Sequence, residues 1–291
     1  MKFIHLLRYK FKIFLWFLRP KVTPLDFFGE AIISMSAKWH GEINPVLSYI
    51  CMFDVLRQRG FSGSFLELGG GYSTITLPNI LDPEYVSATS VDLNPDKYNW
   101  ILNSSRAKKD FLSTIRNVQK PTVSLQEVFE GLESLRLNLL KFDRAQVQSA
   151  LSKYALDSID TSLKISNAIF SDSGDDLKSL IVSHHAYSED LKFYKSQSYE
   201  SGFGYCHELV QQKFKADAIF FDCGEISSAA EWVILSGAIN IGGYALLHDI
   251  YYPKSIKNFL VATYIELSSD WEIIYRDSVS PQGAMVAVRV G

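Results

Sequence analysis

The sequence is poor in cysteine and offers no pattern of metal-binding thiols. Its 291 residues contain three cysteines, too few and too widely spaced for a disulfide framework: Cys51, Cys206 and Cys223. No Cys-x-x-Cys or Cys/His pair has the spacing of a structural zinc site. These absences exclude a small disulfide-rich domain and favour a reducing, cytoplasmic location.

The sequence also lacks a long apolar run and a strong excess of charge. The longest unbroken apolar run, Ile13–Leu18, is far shorter than the ~20 residues that a membrane-spanning helix needs. The formal net charge is -3, and 47% of the residues are hydrophobic. This composition excludes a disordered or histone-like chain, and the length is sufficient for a full buried core.

The basic side chains are unevenly distributed. Residues 1–25 contain six lysines and arginines and no acid, so this segment carries +6. Because the whole chain carries -3, residues 26–291 carry -9. An acidic body does not suit nucleic-acid binding, so we expect no nucleic-acid partner.

Residues 1–21 are predicted to form a basic amphipathic helix. Over residues 2–18 the apolar side chains fall on one arc of a helical projection and the basic ones on the other, and Pro20 ends the helix. One interpretation is an interfacial helix in peripheral contact with an anionic membrane. The other is a terminal helix that packs on its own domain or on a partner. The sequence leaves both open.

Beyond an N-terminal helical segment at residues 22–61, strands are predicted to alternate with helices. The short apolar runs predict strands at residues 64–68, 88–92, 163–170, 218–221, 244–247, 271–275 and 284–290. Helices are expected at residues 44–58, 73–81 and 255–267. Another helix is expected to begin at Ser228, with Glu231 completing a capping box, and a helical insert is expected at about 97–160. The pattern predicts an α/β fold with a doubly wound, mostly parallel sheet and a terminal antiparallel strand.

Acids and glycines follow the predicted strands. Glu67, Gly69 and Gly71 come at the end of the first strand, and Asp92 ends the second. Glycine lets the backbone approach a ligand closely, and a carboxylate after the second strand can accept hydrogen bonds from a ribose. In doubly wound sheets, ligands bind at this carboxyl edge.

This pattern resembles that of the class I (Rossmann-like) S-adenosylmethionine-dependent methyltransferases. Their first motif is an acid followed by glycines at alternating positions; Glu67, Gly69 and Gly71 match, and Ser73 stands at the third glycine position. The resemblance covers residues 62–291, and it implies a methyltransferase domain with a seven-stranded sheet. It implies S-adenosylmethionine as cofactor, held by Glu67, Gly69, Gly71, Ser73, Asp92, Asp172 and Asp222.

Two further regions, 220–225 and 242–249, resemble the small-molecule O-methyltransferases. The resemblance implies O-methylation of a small molecule, a sugar or a lipid-linked intermediate, and it assigns Asp222 and Asp249 to a Mg²⁺ site. His248 stands where some members have an acid. With Asp249 it is a candidate catalytic residue; it could be a general base, a metal ligand or a structural residue.

Two other functions stay open at this stage. One is a non-catalytic methyltransferase-like domain that acts through partners. The other is a nicotinamide-dependent oxidoreductase, although Thr74 replaces the last glycine of that fingerprint. His207 and the adjacent His184 and His185 could reach the acceptor, but neighbouring residues point apart in regular structure, so at most one of the adjacent pair is expected in a site.

Overall fold

The computed structural model describes residues 43–82, 84–92, 99, 101, 116–118, 120–155, 159–196, 198–277 and 282–291. The predicted amphipathic helix at residues 2–18 lies outside these ranges. Among the described residues, no helix is long and apolar enough to cross a membrane. Elements are numbered below in chain order within the described residues.

One mixed sheet forms the centre of the molecule. Its strands are β1 Gly63–Leu68, β2 Val86–Val91, β3 Arg116–Val118, β4 Ala216–Phe221, β5 Ile239–His248, β6 Trp271–Asp277 and β7 Ala284–Arg289. The order across the sheet is β3-β2-β1-β4-β5-β7-β6. Strand β7 runs antiparallel to both of its neighbours, and the other pairings are parallel. The predicted mostly parallel α/β sheet with an antiparallel last strand is confirmed.

Ten helices surround the sheet within the described residues. They are α1 Ile43–Gln58, α2 Tyr72–Ile80, α3 Leu125–Leu139, α4 Arg144–Leu151, α5 Ile159–Ile169, α6 Asp175–Val182, α7 His185–Ser196, α8 Tyr205–Gln211, α9 Ser228–Leu235 and α10 Phe259–Leu267. Helices α3 to α8 all lie between β3 and β4, whereas the insert was predicted to precede the third strand.

The sheet is buried on both faces, which explains the continuous apolar runs of its central strands. Leu66 and Phe221 face the cluster that contains α3, α9 and α10. Phe65 and Phe220, their neighbours in sequence, face the cluster that contains α1 and α2. Successive side chains of a strand point to opposite faces, so both sets must be apolar.

The prediction of a strand at residues 163–170 is wrong. Residues 163–169 belong to helix α5, where Ile165, Ala168 and Ile169 are buried at helical spacing, and Phe170 follows its end. A short apolar run fits a buried strand and a buried helical face equally well, and here the helix forms. The third strand is instead β3, which is only three residues long.

The capping box predicted at Ser228 and Glu231 is also wrong. Helix α9 has Ser227 as its N-cap residue, and no side chain caps it by a hydrogen bond. The buried Glu231 carboxylate accepts a 2.6 Å hydrogen bond from the Thr122 hydroxyl instead. Glu231 therefore ties α9 to the segment after β3.

Candidate functional site

The loops after β1, β4 and β5 meet at the carboxyl edge of the sheet. From β1 the chain builds the sheet in one direction, through β2 to β3, and from β4 it builds the sheet in the other direction, beginning with β5. The winding of the sheet therefore reverses between the neighbouring strands β1 and β4. Ligands of doubly wound sheets bind at such a reversal point. The loops carry Gly69 after β1, Asp222 after β4 and the His248–Asp249 pair at the end of β5.

The glycine turn after β1 is required by close packing against β4. Gly69 has a φ of 93°, and a Cβ atom there would lie 2.2 Å from the Asp222 carbonyl oxygen. A side chain at this position would therefore both strain the backbone and clash with the neighbouring loop. The Gly71 N–H then donates to Thr74 Oγ1 at 2.8 Å, which fixes the turn at the start of α2.

Glu67 is a buried carboxylate with one free oxygen. Thr74 Oγ1 and Ser90 Oγ each donate a 2.6 Å hydrogen bond to its Oε2 atom. Its Oε1 atom is buried and has no hydrogen-bond partner among the described residues. Burial raises the pKa of Glu67, and the nearby hydroxyl groups of Ser73, Ser90 and Thr74 oppose that rise. A buried acceptor without a donor is costly, so Oε1 is suited to a ligand donor such as an amino group.

Asp222, Asp249 and Lys257 form a buried ion cluster beside this turn. The Lys257 ammonium lies 2.9 Å from Asp222 Oδ1 and 2.9 Å from Asp249 Oδ2. Burial would raise the pKa of Asp222, but the Lys257 and His248 charges outweigh it and lower that pKa. Burial would lower the pKa of Lys257, but the two carboxylates raise it well above its ordinary value. Burial would raise the pKa of Asp249 as well, but the Lys257 and His248 charges lower it. The three groups therefore stay charged at neutral pH.

His248 contacts the same two carboxylates. Its Nδ1 atom lies 3.2 Å from Asp249 Oδ1 and 3.4 Å from Asp222 Oδ1, without the alignment of a hydrogen bond. Neither ring nitrogen has a hydrogen-bond partner in the described part of the chain. Burial would lower the pKa of His248, but the charges of Asp249 and Asp222 raise it to about 9. The ring is therefore a cation at neutral pH in this state.

Tyr49 and Asn258 position the cluster from outside it. The Tyr49 hydroxyl, on α1, donates a 2.8 Å hydrogen bond to Asp222 Oδ2, and its ring lies 4.8 Å from the His248 ring. The Asn258 amide donates to the carbonyl oxygens of Phe221 and His248, at 2.9 Å and 2.6 Å. Asn258 thereby joins the ends of β4 and β5, the two strands that carry the acids.

A divalent cation does not fit this arrangement. Asp222, His248 and Asp249 have ligand atoms within 4.8 Å of one another, so the donor set alone suits a metal. However, the Lys257 ammonium already bridges the two carboxylates. A divalent ion between the two carboxylates would be repelled by this ammonium and would have to compete with it for the same oxygens. The Mg²⁺ site predicted at Asp222 and Asp249 therefore lacks support while Lys257 stays in place.

Other predicted site residues lie in varied surroundings. Asp92 follows β2 as expected, and its N–H donates to the Val118 carbonyl at 3.1 Å. Ser73 is buried at the start of α2, next to Glu67. Asp172 is exposed in the bend between α5 and α6, not at the end of a strand. The cofactor-binding role predicted for Asp172 depended on a strand at residues 163–170, where the structure has a helix.

The three histidines between β3 and β4 are separate from the ion cluster. The expectation that His184 and His185 point apart is wrong, because their rings lie 4.3 Å apart where α7 begins. His184 Nε2 is 3.0 Å from the Pro253 carbonyl oxygen, a structural contact. His207 packs on the Phe203 ring and lies 3.1 Å from Glu127. Of the histidine candidates considered, His248 is the one beside Asp222 and Asp249.

Sequence reasoning missed Tyr49, Lys257 and Asn258. No sequence motif marks Tyr49, which reaches Asp222 from a helix that precedes the sheet. Lys257 and Asn258 had a weak signal, since they follow the predicted strand-end acid Asp249 in the next loop. Loops at the carboxyl edge of such a sheet supply site residues, so a lysine and an asparagine in that loop are weak indicators of a site.

Comparison with known proteins gives distant structural similarity. No family model matches the chain, and no curated protein matches it. It is similar to an O-methyltransferase from Bacillus cereus solved with SAH, at 13% identity and a TM-score of 0.44, covering 94% of this chain and 93% of that one. It is also similar to the O-methyltransferase TomG from Streptomyces achromogenes, involved in tomaymycin synthesis and solved with SAM. There the identity is 11% and the TM-score 0.44, with 96% and 95% covered. At these values the similarity decides neither the activity nor the acceptor.

Proposed function

We propose that the protein is an S-adenosylmethionine-dependent methyltransferase that methylates a hydroxyl oxygen of a small molecule, a sugar or a lipid-linked intermediate. One observation carries the proposal: the buried Glu67 Oε1 atom has no partner within the described ranges, and it lies at the glycine turn where the sheet reverses its winding. A ligand with a positively charged amino group satisfies that oxygen, as the methionine part of this cofactor does.

The cofactor supplies a methyl group activated on a sulfonium sulfur. The residues that would hold it surround the turn after β1 and the ends of β2 and β4: Glu67, Gly69, Gly71, Ser73, Asp92 and Asp222. Glu67 would accept from the amino group, and Asp92 would accept from the ribose hydroxyls. The close approach of Gly69 to the Asp222 backbone leaves no room for a side chain at position 69.

We further propose that His248 and Asp249 serve the acceptor. His248 Nε2 is buried and lacks a partner in the described structure, so it is available to a hydroxyl group. Asp222 and Asp249 hold the ring by charge through its other nitrogen. The pKa of His248 is raised to about 9, so the ring is mostly protonated at neutral pH and only its neutral form can accept the hydroxyl proton. That form becomes more abundant as the pH rises through about 9, and we expect activity to rise with it.

Calorimetric titration with S-adenosylhomocysteine tests the cofactor assignment. We expect saturable binding to the wild-type protein, weakened about tenfold or more by Glu67→Gln and by Asp92→Ala, since each removes one ligand contact. Glu84→Gln is the matched control, because Glu84 is exposed and remote from the glycine turn. Absence of binding at millimolar ligand, or binding of a nicotinamide dinucleotide instead, would refute the proposal.

A further inference from the structure

We propose that the Lys257 ammonium takes the place of a divalent cation between Asp222 and Asp249, so that the site holds both carboxylates together without a metal. The inference deepens the proposed function and rests on it, because the reaction that the site would serve is the proposed methyl transfer. The ion-binding test below does not depend on that reaction. Lys257 is assigned as a positioning residue, because the Lys257 ammonium contacts the two acids.

The geometry places the ammonium where a bridging ion would sit. Lys257 Nζ is 2.9 Å from an oxygen of each carboxylate, a distance typical of charge-assisted hydrogen bonds. The side chains of Lys257, Asp222 and Asp249 are all at least nine-tenths buried, so water competes little with these contacts. One cation therefore bridges the acids of two adjacent strand ends.

The backbone around Lys257 is held in place independently of the ion cluster. Its N–H donates to Ser255 Oγ at 3.0 Å, and that hydroxyl donates to Glu225 Oε2 at 2.7 Å. The Ile256 N–H donates to the same Glu225 oxygen at 3.1 Å. Glu225 lies in the loop after β4, close to Asp222 in sequence. The loop that carries Lys257 is therefore hydrogen-bonded to the loop after β4, which carries Asp222.

The local charge balance also disfavours a metal. Two carboxylates, Asp222 and Asp249, face one ammonium, and the His248 ring lies on the same two acids. Mg²⁺ and Mn²⁺ favour oxygen ligands, and a carboxylate committed to an ammonium is a poor one. Removing the Lys257 charge would leave the carboxylates of Asp222 and Asp249 free to share another cation, with a ring nitrogen of His248 within 4.8 Å of both.

Mn²⁺ titration followed by electron paramagnetic resonance tests this inference directly. The full-length wild-type protein should leave added Mn²⁺ free at millimolar concentration, while Lys257→Ala should bind it at least about tenfold more tightly. Lys254→Ala is the matched control, since Lys254 is an exposed lysine of the same loop, and it should behave as the wild type. Adding Asp222→Asn to Lys257→Ala should remove the new binding.

Two results would overturn the inference. One is Mn²⁺ binding to the wild-type protein that Asp222→Asn abolishes. The other is a Lys257→Ala protein that is folded, by a cooperative thermal transition, yet binds no more Mn²⁺ than the wild type. Should Lys257→Ala not fold, Lys257→Gln replaces it and the wild-type titration still decides. Titration with S-adenosylhomocysteine in parallel separates this failure from failure of the proposed function.

Discussion

The Tyr49 hydroxyl donates a 2.8 Å hydrogen bond to Asp222 Oδ2, across 173 positions of sequence. The contact joins helix α1, which precedes the sheet, to the loop after β4, where the ion cluster lies. Burial raises the pKa of Tyr49 well above its ordinary value, and the negative charge of Asp222 adds to that rise. The phenol therefore remains a donor across the physiological pH range, and α1 is a structural part of the site.

Tyr49→Phe should destabilise the protein by about 1 kcal/mol, because Asp222 loses one of its donors while its partner Lys257 remains. The measurement is the free energy of unfolding from urea denaturation. Tyr85→Phe is the control, since Tyr85 is 63% exposed and its hydroxyl is open to water. An equal effect of both substitutions would show that the Tyr49 hydrogen bond contributes no specific stability.

Glu67→Gln should change how stability depends on pH. Burial raises the folded pKa of Glu67 above its ordinary 4.5, so the folded state holds that proton more tightly than the unfolded state. Wild-type stability should therefore fall as pH rises from about 4.5 through the raised pKa, and then level off. Glutamine has no such proton, so its stability relative to wild type should increase over the same window.

The measurement is urea denaturation of both proteins at a series of pH values. Glu84→Gln, at an exposed glutamate, should follow the wild-type profile throughout. A Glu67→Gln profile parallel to that of the wild type would contradict the buried-acid assignment. The same substitution should weaken S-adenosylhomocysteine binding, which would make Glu67 a residue that costs stability and serves the ligand.

The amphipathic pattern of residues 2–18 predicts binding to anionic membranes, if these residues form a helix at the membrane surface. The full-length protein should co-sediment with phosphatidylglycerol vesicles, and raised salt should reduce the bound fraction because headgroup attraction is screened. Reversing three charges, with Lys2→Glu, Arg8→Glu and Lys12→Glu, should abolish sedimentation. Phosphatidylcholine vesicles are the control. Equal sedimentation of the wild-type and reversed proteins would favour packing on the domain or on a partner.

The sequence predicts the central strands well because each is a short apolar run that ends in a turn signal. It fails at β3, since the three residues Arg116–Val118 carry no such run. It also fails at α5, where an apolar stretch of ambiguous period folds as a helix. For the same reason the sequence predicts the helical insert before the third strand, whereas the structure has helices α3 to α8 after it.

Some residues of the candidate site could be predicted from the sequence and others could not. Asp222, His248 and Asp249 could be predicted because strand ends at the carboxyl edge follow directly from the alternation of elements. Tyr49 and Lys257 could not, because tertiary packing alone brings them to Asp222. The function of the two acids depends on that packing, since the lysine decides between an ion pair and a metal site.

The raised pKa of His248 predicts a second pH dependence of stability. The pKa of Glu67 is raised by burial, whereas the pKa of His248 is raised by neighbouring negative charges against the effect of burial. Its folded pKa is about 9, against an ordinary 6.5, because the charges of Asp249 and Asp222 overcome burial. The folded state therefore binds this proton more tightly than the unfolded state. The contribution is fully present below about pH 6.5 and is lost as pH rises through about 9; it amounts to roughly 3 kcal/mol at most.

His248→Asn should remove this alkaline loss, although it should lower stability at neutral pH by taking one cation from Asp222 and Asp249. Urea denaturation between pH 6 and pH 10, in steps of about one unit, measures both effects. His207→Asn is the control, because His207 is part-exposed and lies away from the ion cluster; its profile should run parallel to that of the wild type. If wild type and His248→Asn lose stability equally between neutral pH and pH 10, His248 is not held as a cation by the two acids. It would then be neutral at physiological pH, and the proposed activity would show no rise towards alkaline pH from this residue.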